Sequence, residues 1–125
     1  MKLQQKISLW FPVTLYICFI FWLSSAPRVP PPFLRWEGAD KFFHIGEYTP
    51  LGMLLLRAFS RSAVSPRRRV LWTAVFLAGL TVGVFDEFYQ SFVPTRTCSV
   101  WDASADAIGV CVGQLLYSWK WARTP

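Results

Sequence analysis

The chain is poor in charged side chains. Asp, Glu, Lys and Arg together make up 16% of its 125 residues, whereas ordinary soluble domains contain about 25%. Hydrophobic residues make up 54% of the chain and aromatic residues 18%. This composition disfavours a water-soluble protein and favours an integral membrane protein, which by its length is a single domain.

Cysteine and histidine are scarce as well. The chain has 3 cysteines and 1 histidine. Cys18, Cys98 and Cys111 lie far apart, form no CxxC pair, and have no second histidine with which to complete a zinc site. The sequence therefore assigns no metal site, and it identifies no cofactor.

Basic residues exceed acidic ones, which raises the question of nucleic acid as a partner. The formal net charge is +6 and the isoelectric point is near 9.7. The cations flank apolar runs, however, and do not form a patch interleaved with aromatic residues. Nucleic acid is therefore not expected as a partner.

Four apolar segments predict transmembrane helices at about residues 7–24, 40–59, 70–92 and 100–119. The first apolar run, 7–23, is at the lower edge of the length of about 17 to 25 residues that spans a bilayer. A signal peptide is the alternative, since "SSA" follows at 24–26, but Pro27 would follow the cut and disfavours cleavage. The proline-rich stretch 26–38 is predicted to be an extended connector. We therefore expect an all-α fold, a four-helix transmembrane bundle that forms one domain over 1–125.

The distribution of the cations predicts the orientation of this bundle. If the N-terminus is cytoplasmic, four of the 13 Lys and Arg residues lie outside: Arg28, Arg35, Lys41 and Arg96. The other nine lie on the cytoplasmic side: Lys2, Lys6, Arg57, Arg61, Arg67, Arg68, Arg69, Lys120 and Arg123. Because cytoplasmic loops are enriched in Lys and Arg, both termini are expected in the cytoplasm.

The 7 acidic residues all fall in the outer half of this arrangement. Positions 40, 44, 47 and 51 share one face of helix two, and positions 102, 106, 109 and 113 share one face of helix four. Gly109 and Gly113 have the spacing that allows another helix to approach closely. Since a charge at mid-membrane costs about 2.5 to 3.5 kcal/mol, we expect these polar groups to face one another or a wet cleft at the outer end.

Three segments carry a resemblance to a known family. They are "WLSSAP" at the end of helix one, "DKFFHIGEYTPLGMLL" at the start of helix two, and "FDEFYQSFVPTRTCSVWDASADAIGVCVG" between helices three and four. Over about residues 8–116 the chain resembles the VanZ-like family of small bacterial membrane proteins. The matching positions are Asp40, Lys41, His44, Tyr48, Gly52, Glu87, Gln90, Pro94, Arg96, Asp102 and Gly109. Asp106 is a departure, because such proteins often carry Asn there.

The resemblance implies a multi-pass protein of the bacterial cytoplasmic (inner) membrane. The namesake of the family is linked to low-level resistance to teicoplanin, a glycopeptide that acts on cell-wall precursors outside the membrane. The resemblance therefore implies a fold and a location in the cell envelope, but no defined reaction.

Two groups of residues are predicted to form the site. The candidate catalytic residues, which would transfer protons, are His44, Glu47 and Glu87. The candidate ligand-binding residues are Asp40, Lys41, Tyr48, Gln90, Arg96, Asp102 and Asp106. Within this group, the planar guanidinium of Arg96 suits a phosphate or carboxylate.

Several of these residues also have a simpler structural explanation. Asp40 and Asp102 suit the first turns of their helices, where the dipole favours negative charge. Lys41 and Arg96 suit pairing with Glu87 or Asp102. A metal site made by His44, Glu47, Glu87 and Asp102 is less favoured, because the spacing matches no established signature.

The leading functional hypothesis is that the polar site binds or remodels an anionic envelope lipid or a cell-wall precursor. Membrane lipids are the expected partners, with a lipid-linked wall precursor as a more specific one. The first alternative is a membrane-embedded enzyme in which Glu87 is the general base, His44 assists proton transfer, and a metal activates water. The second alternative is a structural membrane module whose charges lock the helices together.

Overall fold

The computed structural model describes residues 2–27, 36, 38–62 and 67–121. Over these residues the protein consists of four helices and contains no strand: α1 (Leu3–Ser24), α2 (Ala39–Ser62), α3 (Arg68–Gln90) and α4 (Val100–Trp121). The prediction of an all-α fold with four helices is confirmed. Most of the predicted proline-rich connector lies outside the described residues, as do Arg28, Arg35 and Arg123.

The helix ends differ from the predicted ones by a few residues. α1 begins at Leu3 and not near residue 7, because Gln4, Gln5 and Lys6 are good helix formers despite their polarity. α3 ends at Gln90, two residues before its predicted end. The N–H of Ser91 donates a hydrogen bond to the carbonyl oxygen of Glu87, which completes the last turn. α2 and α4 each continue beyond their predicted ends, to Ser62 and Trp121.

The tightest helix contact joins α2 and α4. A Cβ placed on Gly109 would lie 2.6 Å from the carbonyl oxygen of Ile45, and one placed on Gly113 would overlap the carbonyl oxygen of Thr49. On the facing helix, a Cβ on Gly52 would overlap the backbone of Val110. The prediction that Gly109 and Gly113 allow close helix approach is confirmed, and Gly52 makes the contact reciprocal.

The buried apolar core contains residues from all four helices. Its members are Leu9, Val13, Ile20, Tyr48, Leu51, Leu55, Leu56, Ala58, Val75 and Val110. α1 contributes a narrow buried stripe through Leu9, Val13 and Ile20, while its other faces stay exposed. All four helices therefore contribute to the core.

Large apolar side chains cover the outside of the bundle. Phe11, Leu77, Trp101 and Leu115 are each more than half exposed, which is unusual for a protein surrounded by water. Among the helices in the described part of the chain, α1 and α3 are long and apolar enough to cross a membrane. α2 and α4 have similar lengths, 24 and 22 residues, but ionisable groups interrupt their N-terminal halves, Asp40, Lys41, His44 and Glu47 in α2 and Asp102 and Asp106 in α4. This surface suits a lipid environment.

The glycines of α2 and α4 predict opposite effects of the same substitution. Gly113→Ala is expected to lower the free energy of unfolding by about 1 to 3 kcal/mol, the usual cost of overpacking. Gly46→Ala places its Cβ where no atom lies within 4 Å, so it is expected to raise stability by about 0.5 to 1 kcal/mol, the penalty for glycine within a helix. Thermal unfolding in mild detergent measures both, and shifts of the same sign would contradict this account of the α2–α4 contact.

Candidate functional site

Polar side chains converge at one end of the bundle. This end is formed by the C-terminal ends of α1 and α3 and the N-terminal ends of α2 and α4. The polar residues buried there are Ser24, His44, Asp86, Glu87, Gln90, Asp102 and Asp106. The expectation that polar groups of helices two, three and four face one another is confirmed, and α1 adds a fourth side to the cluster.

His44 is the centre of this cluster. Its Nδ1 atom lies 2.8 Å from Oδ1 of Asp106 on α4 and 4.0 Å from Oε1 of Glu87 on α3. The three residues are 2%, 0% and 3% exposed. A charged or strongly polar group needs a partner at such burial; the imidazole is hydrogen-bonded to Asp106 and lies close to the carboxyl group of Glu87, which comes from a different helix.

Glu87 has a structural contact that the sequence did not predict. Its Oε2 atom accepts a hydrogen bond of 2.9 Å from the backbone N–H of Ser99, directly before α4. This contact joins the end of α3 to the start of α4, where unpaired backbone N–H groups favour a carboxylate. One oxygen of Glu87 therefore holds the helices together, while the other faces His44.

Asp86 and Ser24 are site residues that the sequence-based prediction missed. The amide of Gln90 donates to Oδ2 of Asp86 at 2.8 Å and to the hydroxyl of Ser24 at 3.1 Å. Asp86 and Gln90 are four residues apart and so share one face of α3, a spacing that could have identified Asp86. No such spacing identifies Ser24, because its role depends on how α1 packs against α3.

Arg96 joins the loop after α3 to the end of α1. It donates to Oε1 of Gln90 at 3.2 Å and to the carbonyl oxygens of Ala26 and Leu23 at 3.2 and 3.4 Å. The last carbonyls of a helix lack helical partners, and arginine is a suitable donor to them. The residue before it, Thr95, has a φ of 71°, which is a strained conformation for a β-branched residue. The backbone is therefore held in an unusual turn at the position that directs Arg96.

Lys41 is neutralised by acidic partners. Its Nζ atom lies 3.0 Å from Oδ1 of Asp102 and 3.1 Å from Oδ2 of Asp40. The predicted pairing of Lys41 with Asp102 is confirmed, and both acids lie in the first turns of their helices, as expected. Because the Lys41 side chain is 39% exposed, water screens this pair and its contribution to stability is small.

A cavity of about 890 Å³ opens beside these residues. One part of its wall is apolar and includes Phe19, Leu23, Trp36, Phe42 and Phe43. The other part is polar and includes Asp40, His44, Glu47, Gln90, Arg96 and Asp102. Six of the predicted site residues thus share one cavity that has both an apolar and a polar wall.

The other four predicted residues do not line this cavity within the described part of the chain. Glu87 and Asp106 lie behind His44, and Lys41 lies beside Asp102. Tyr48, which was predicted to bind a ligand, is fully buried and belongs to the apolar core. The site therefore has two layers, a cavity wall and a buried carboxyl layer, with His44 in contact with both.

The backbone of α2 adds polar atoms to the cavity wall. Pro50 lies inside α2 and has no N–H, so it cannot donate the helical hydrogen bond to the carbonyl of Gly46, which lines the cavity. The neighbouring carbonyl of Glu47 accepts a hydrogen bond of 2.8 Å from the hydroxyl of Tyr16. This contact connects α1 to α2 beside the cavity.

The grouping of possible metal ligands differs from the one considered from the sequence. His44, Glu87 and Asp106 each offer a ligand atom, and these three atoms lie within 4.8 Å of one another. Glu47 and Asp102 are not in this group, and Asp106 takes their place. α2 and α4 begin at the same end and lie side by side, so Asp102 is level with Lys41, whereas Asp106 is one turn deeper and level with His44.

Comparison with known proteins assigns the chain to a family. None of the curated proteins and none of the solved structures matches the chain. The VanZ/LLP1 family, in contrast, matches residues 8–121, which is almost the whole chain. Together with the two helices that are apolar enough to cross a membrane, this match indicates a membrane protein. The chain belongs to the VanZ/LLP1 family.

Proposed function

We propose that the protein crosses the bacterial cytoplasmic membrane four times, with both termini in the cytoplasm and the cavity open to the outside. The cations that the structure describes support this orientation. Lys2, Lys6, Arg57, Arg61, Arg67, Arg68, Arg69 and Lys120 all lie at the helix ends opposite the cavity. An excess of basic residues marks the cytoplasmic side, which leaves the cavity on the outer side.

In this proposal the cavity binds the head group of an anionic envelope lipid or a lipid-linked cell-wall precursor. The observation that carries it is the position of Arg96, which lines a cavity that also has an aromatic wall. A planar guanidinium is well suited to bind phosphate. The apolar wall suits the first carbons of an acyl or prenyl chain, so the cavity complements an amphiphile with a phosphate head group.

The surrounding residues have supporting roles in this proposal. Gln90 and the two carbonyl oxygens at the end of α1 hold the guanidinium in place. Asp40 and Asp102 hold Lys41 at the mouth of the site. Such fixed donors lower the entropy lost when a ligand binds.

Binding of such a lipid would account for the link between the namesake of the family and glycopeptide resistance. Teicoplanin acts on cell-wall precursors at the outer face of the membrane. A protein that holds or remodels an envelope lipid at that face would change the lipids and precursors that the glycopeptide encounters there. In this proposal resistance follows from the lipid ligand and not from contact with the antibiotic.

The contact between His44 and Asp106 supports a second candidate function, an enzyme that acts on the same lipid. A histidine on a cavity wall, oriented by a buried carboxylate, is a common arrangement for a general base. Envelope lipid incubated with the protein would then yield a new product, and His44→Ala or Glu87→Gln would abolish its formation. Unchanged lipid after prolonged incubation would exclude this candidate.

The lipid proposal predicts that Arg96→Ala removes a bound lipid. Native mass spectrometry of protein extracted in mild detergent should detect a lipid adduct on the wild type, and its occupancy should fall about tenfold or more in Arg96→Ala, since a charge-assisted hydrogen bond contributes about 1.5 to 3 kcal/mol. Arg69→Ala is the matched control, because Arg69 is exposed at the opposite end. It should retain the adduct.

A second variant separates charge from shape. Arg96→Lys keeps the positive charge but loses the planar fork, so it should retain an intermediate amount of lipid. Circular dichroism and the melting temperature show whether each variant is folded. Equal adduct in wild type and folded Arg96→Ala would contradict the proposal.

The proposed orientation predicts which cysteines a membrane-impermeant maleimide labels in intact cells. Cys98 is exposed in the loop at the cavity end, so it should be labelled from outside once Cys18 and Cys111 have been replaced by alanine. Arg69→Cys, made with all three natural cysteines replaced, should react only after the membrane is permeabilised. The reverse pattern would show that the cavity faces the cytoplasm.

A further inference from the structure

His44, Glu87 and Asp106 have the geometry of a set of metal ligands. They come from three different helices, and the facing atoms are one imidazole nitrogen and two carboxylate oxygens. Ligand atoms that share a metal ion at about 2.1 Å lie roughly 3 to 3.5 Å from one another. The distances from Nδ1 to Asp106 and Glu87, 2.8 and 4.0 Å, lie on either side of this spacing.

Two carboxylate oxygens at this place give independent support. Oε1 of Glu87, which faces His44, and Oδ2 of Asp106 are buried and accept no hydrogen bond from any residue that the structure describes. The residues themselves are 3% and 0% exposed. A buried carboxylate oxygen without a donor is costly, and such groups in proteins are paired or coordinate a metal.

The charges around these oxygens also favour a cation. Asp86, the residue before Glu87, adds a third buried carboxyl group at this end of the bundle. Lys41 is already held by Asp40 and Asp102, and Arg96 reaches Asp86 through Gln90. A small divalent ion would compensate the negative charge of Glu87 and Asp106 directly.

We propose that His44, Glu87 and Asp106 bind one divalent transition-metal ion of the zinc or manganese class. Imidazole with carboxylates suits these ions, and three protein ligands leave coordination positions for water or another ligand. The ion takes the place of the hydrogen bond between His44 and Asp106, because an Nδ1 atom bound to a metal cannot take part in that bond as well. This site does not depend on the proposed lipid ligand.

The proposed ion also gives the cavity a new electrostatic character. His44 belongs both to the cavity wall and to the ligand set. A bound divalent cation is often the largest charge in a site and outweighs nearby acids. With the ion present, the wall formed by His44 would attract an anionic group, whereas the acids alone repel one.

The test is metal retention by purified protein. Protein in mild detergent, freed of any affinity tag and stripped with a chelator, is incubated with Zn²⁺ or Mn²⁺ and passed through a desalting column, and the bound metal is measured by mass spectrometry. Competition with a chromogenic chelator then gives the affinity. Glu87→Gln and Asp106→Asn keep the side-chain volume while weakening the ligand. Asp102→Asn is the matched control, because Asp102 lies one turn earlier on α4 and pairs with Lys41.

We expect the wild type to retain one ion per chain and the two ligand variants to bind at least about tenfold more weakly. Asp102→Asn should bind within about twofold of the wild type. Added metal should raise the melting temperature of the wild type and of Asp102→Asn, and raise that of the ligand variants by less at the same metal concentration. Arg96→Ala should retain the metal, so this result is separate from the loss of lipid.

Three outcomes would overturn the proposal. The first is a folded wild type that retains neither ion. The second is a folded Glu87→Gln or Asp106→Asn variant that binds as tightly as the wild type. The third is an equal loss of metal in Asp102→Asn, which would show that the ion is attracted by overall negative charge and not by these three ligands. If one ligand variant does not fold, the wild type and the other variant still decide the question.

Discussion

The close contact between α2 and α4 is the constraint on which the polar end of the bundle depends. Gly52, Gly109 and Gly113 allow the two backbones to touch, and a side chain at any of them would separate the helices. Because both helices begin at the same end, the contact also sets their register. That register places Lys41 beside Asp102 and, one turn deeper, His44 beside Asp106. A small change in helix spacing would therefore break both pairs together.

The two pairs have different physical characters. Lys41 and Asp102 lie near the surface, where water weakens the attraction, so this pair orients side chains more than it stabilises the fold. His44 and Asp106 are almost completely buried, and at that burial the loss of one partner leaves the other without compensation. Polarity therefore changes with depth, from a screened ion pair at the mouth to a buried cluster behind the cavity. In the two proposals made above, this gradient would let one small bundle combine a place for a ligand with a place for a metal ion.

The sequence predicted the four helices, the close-packed glycines and the end at which the polar groups gather. These features are encoded by apolar runs and by residues three or four apart, which are properties of single helices. The pairing of residues between helices was harder to predict from the sequence. Asp102 and Asp106 share one face of α4, and only the register against α2 decides that Asp106 meets His44. The contact of Ser24 with Gln90 could not be predicted either, because it depends on the packing of α1. The lipid ligand and the orientation in the membrane stay predictions.

The long sequence separation between the paired residues has a consequence for biosynthesis. His44 and Asp106 are 62 residues apart, and Lys41 and Asp102 are 61 apart. A chain made from its N-terminus completes α2 well before α4 leaves the ribosome. During that interval the ionisable groups of α2 lack their α4 partners, and deep in lipid this would be costly. Asp40, Lys41, His44 and Glu47 lie in the first turns of α2, so in the proposed four-pass topology the newly made helix would keep them near the water interface until α4 is inserted. Burial of the cluster would then follow the insertion of α4.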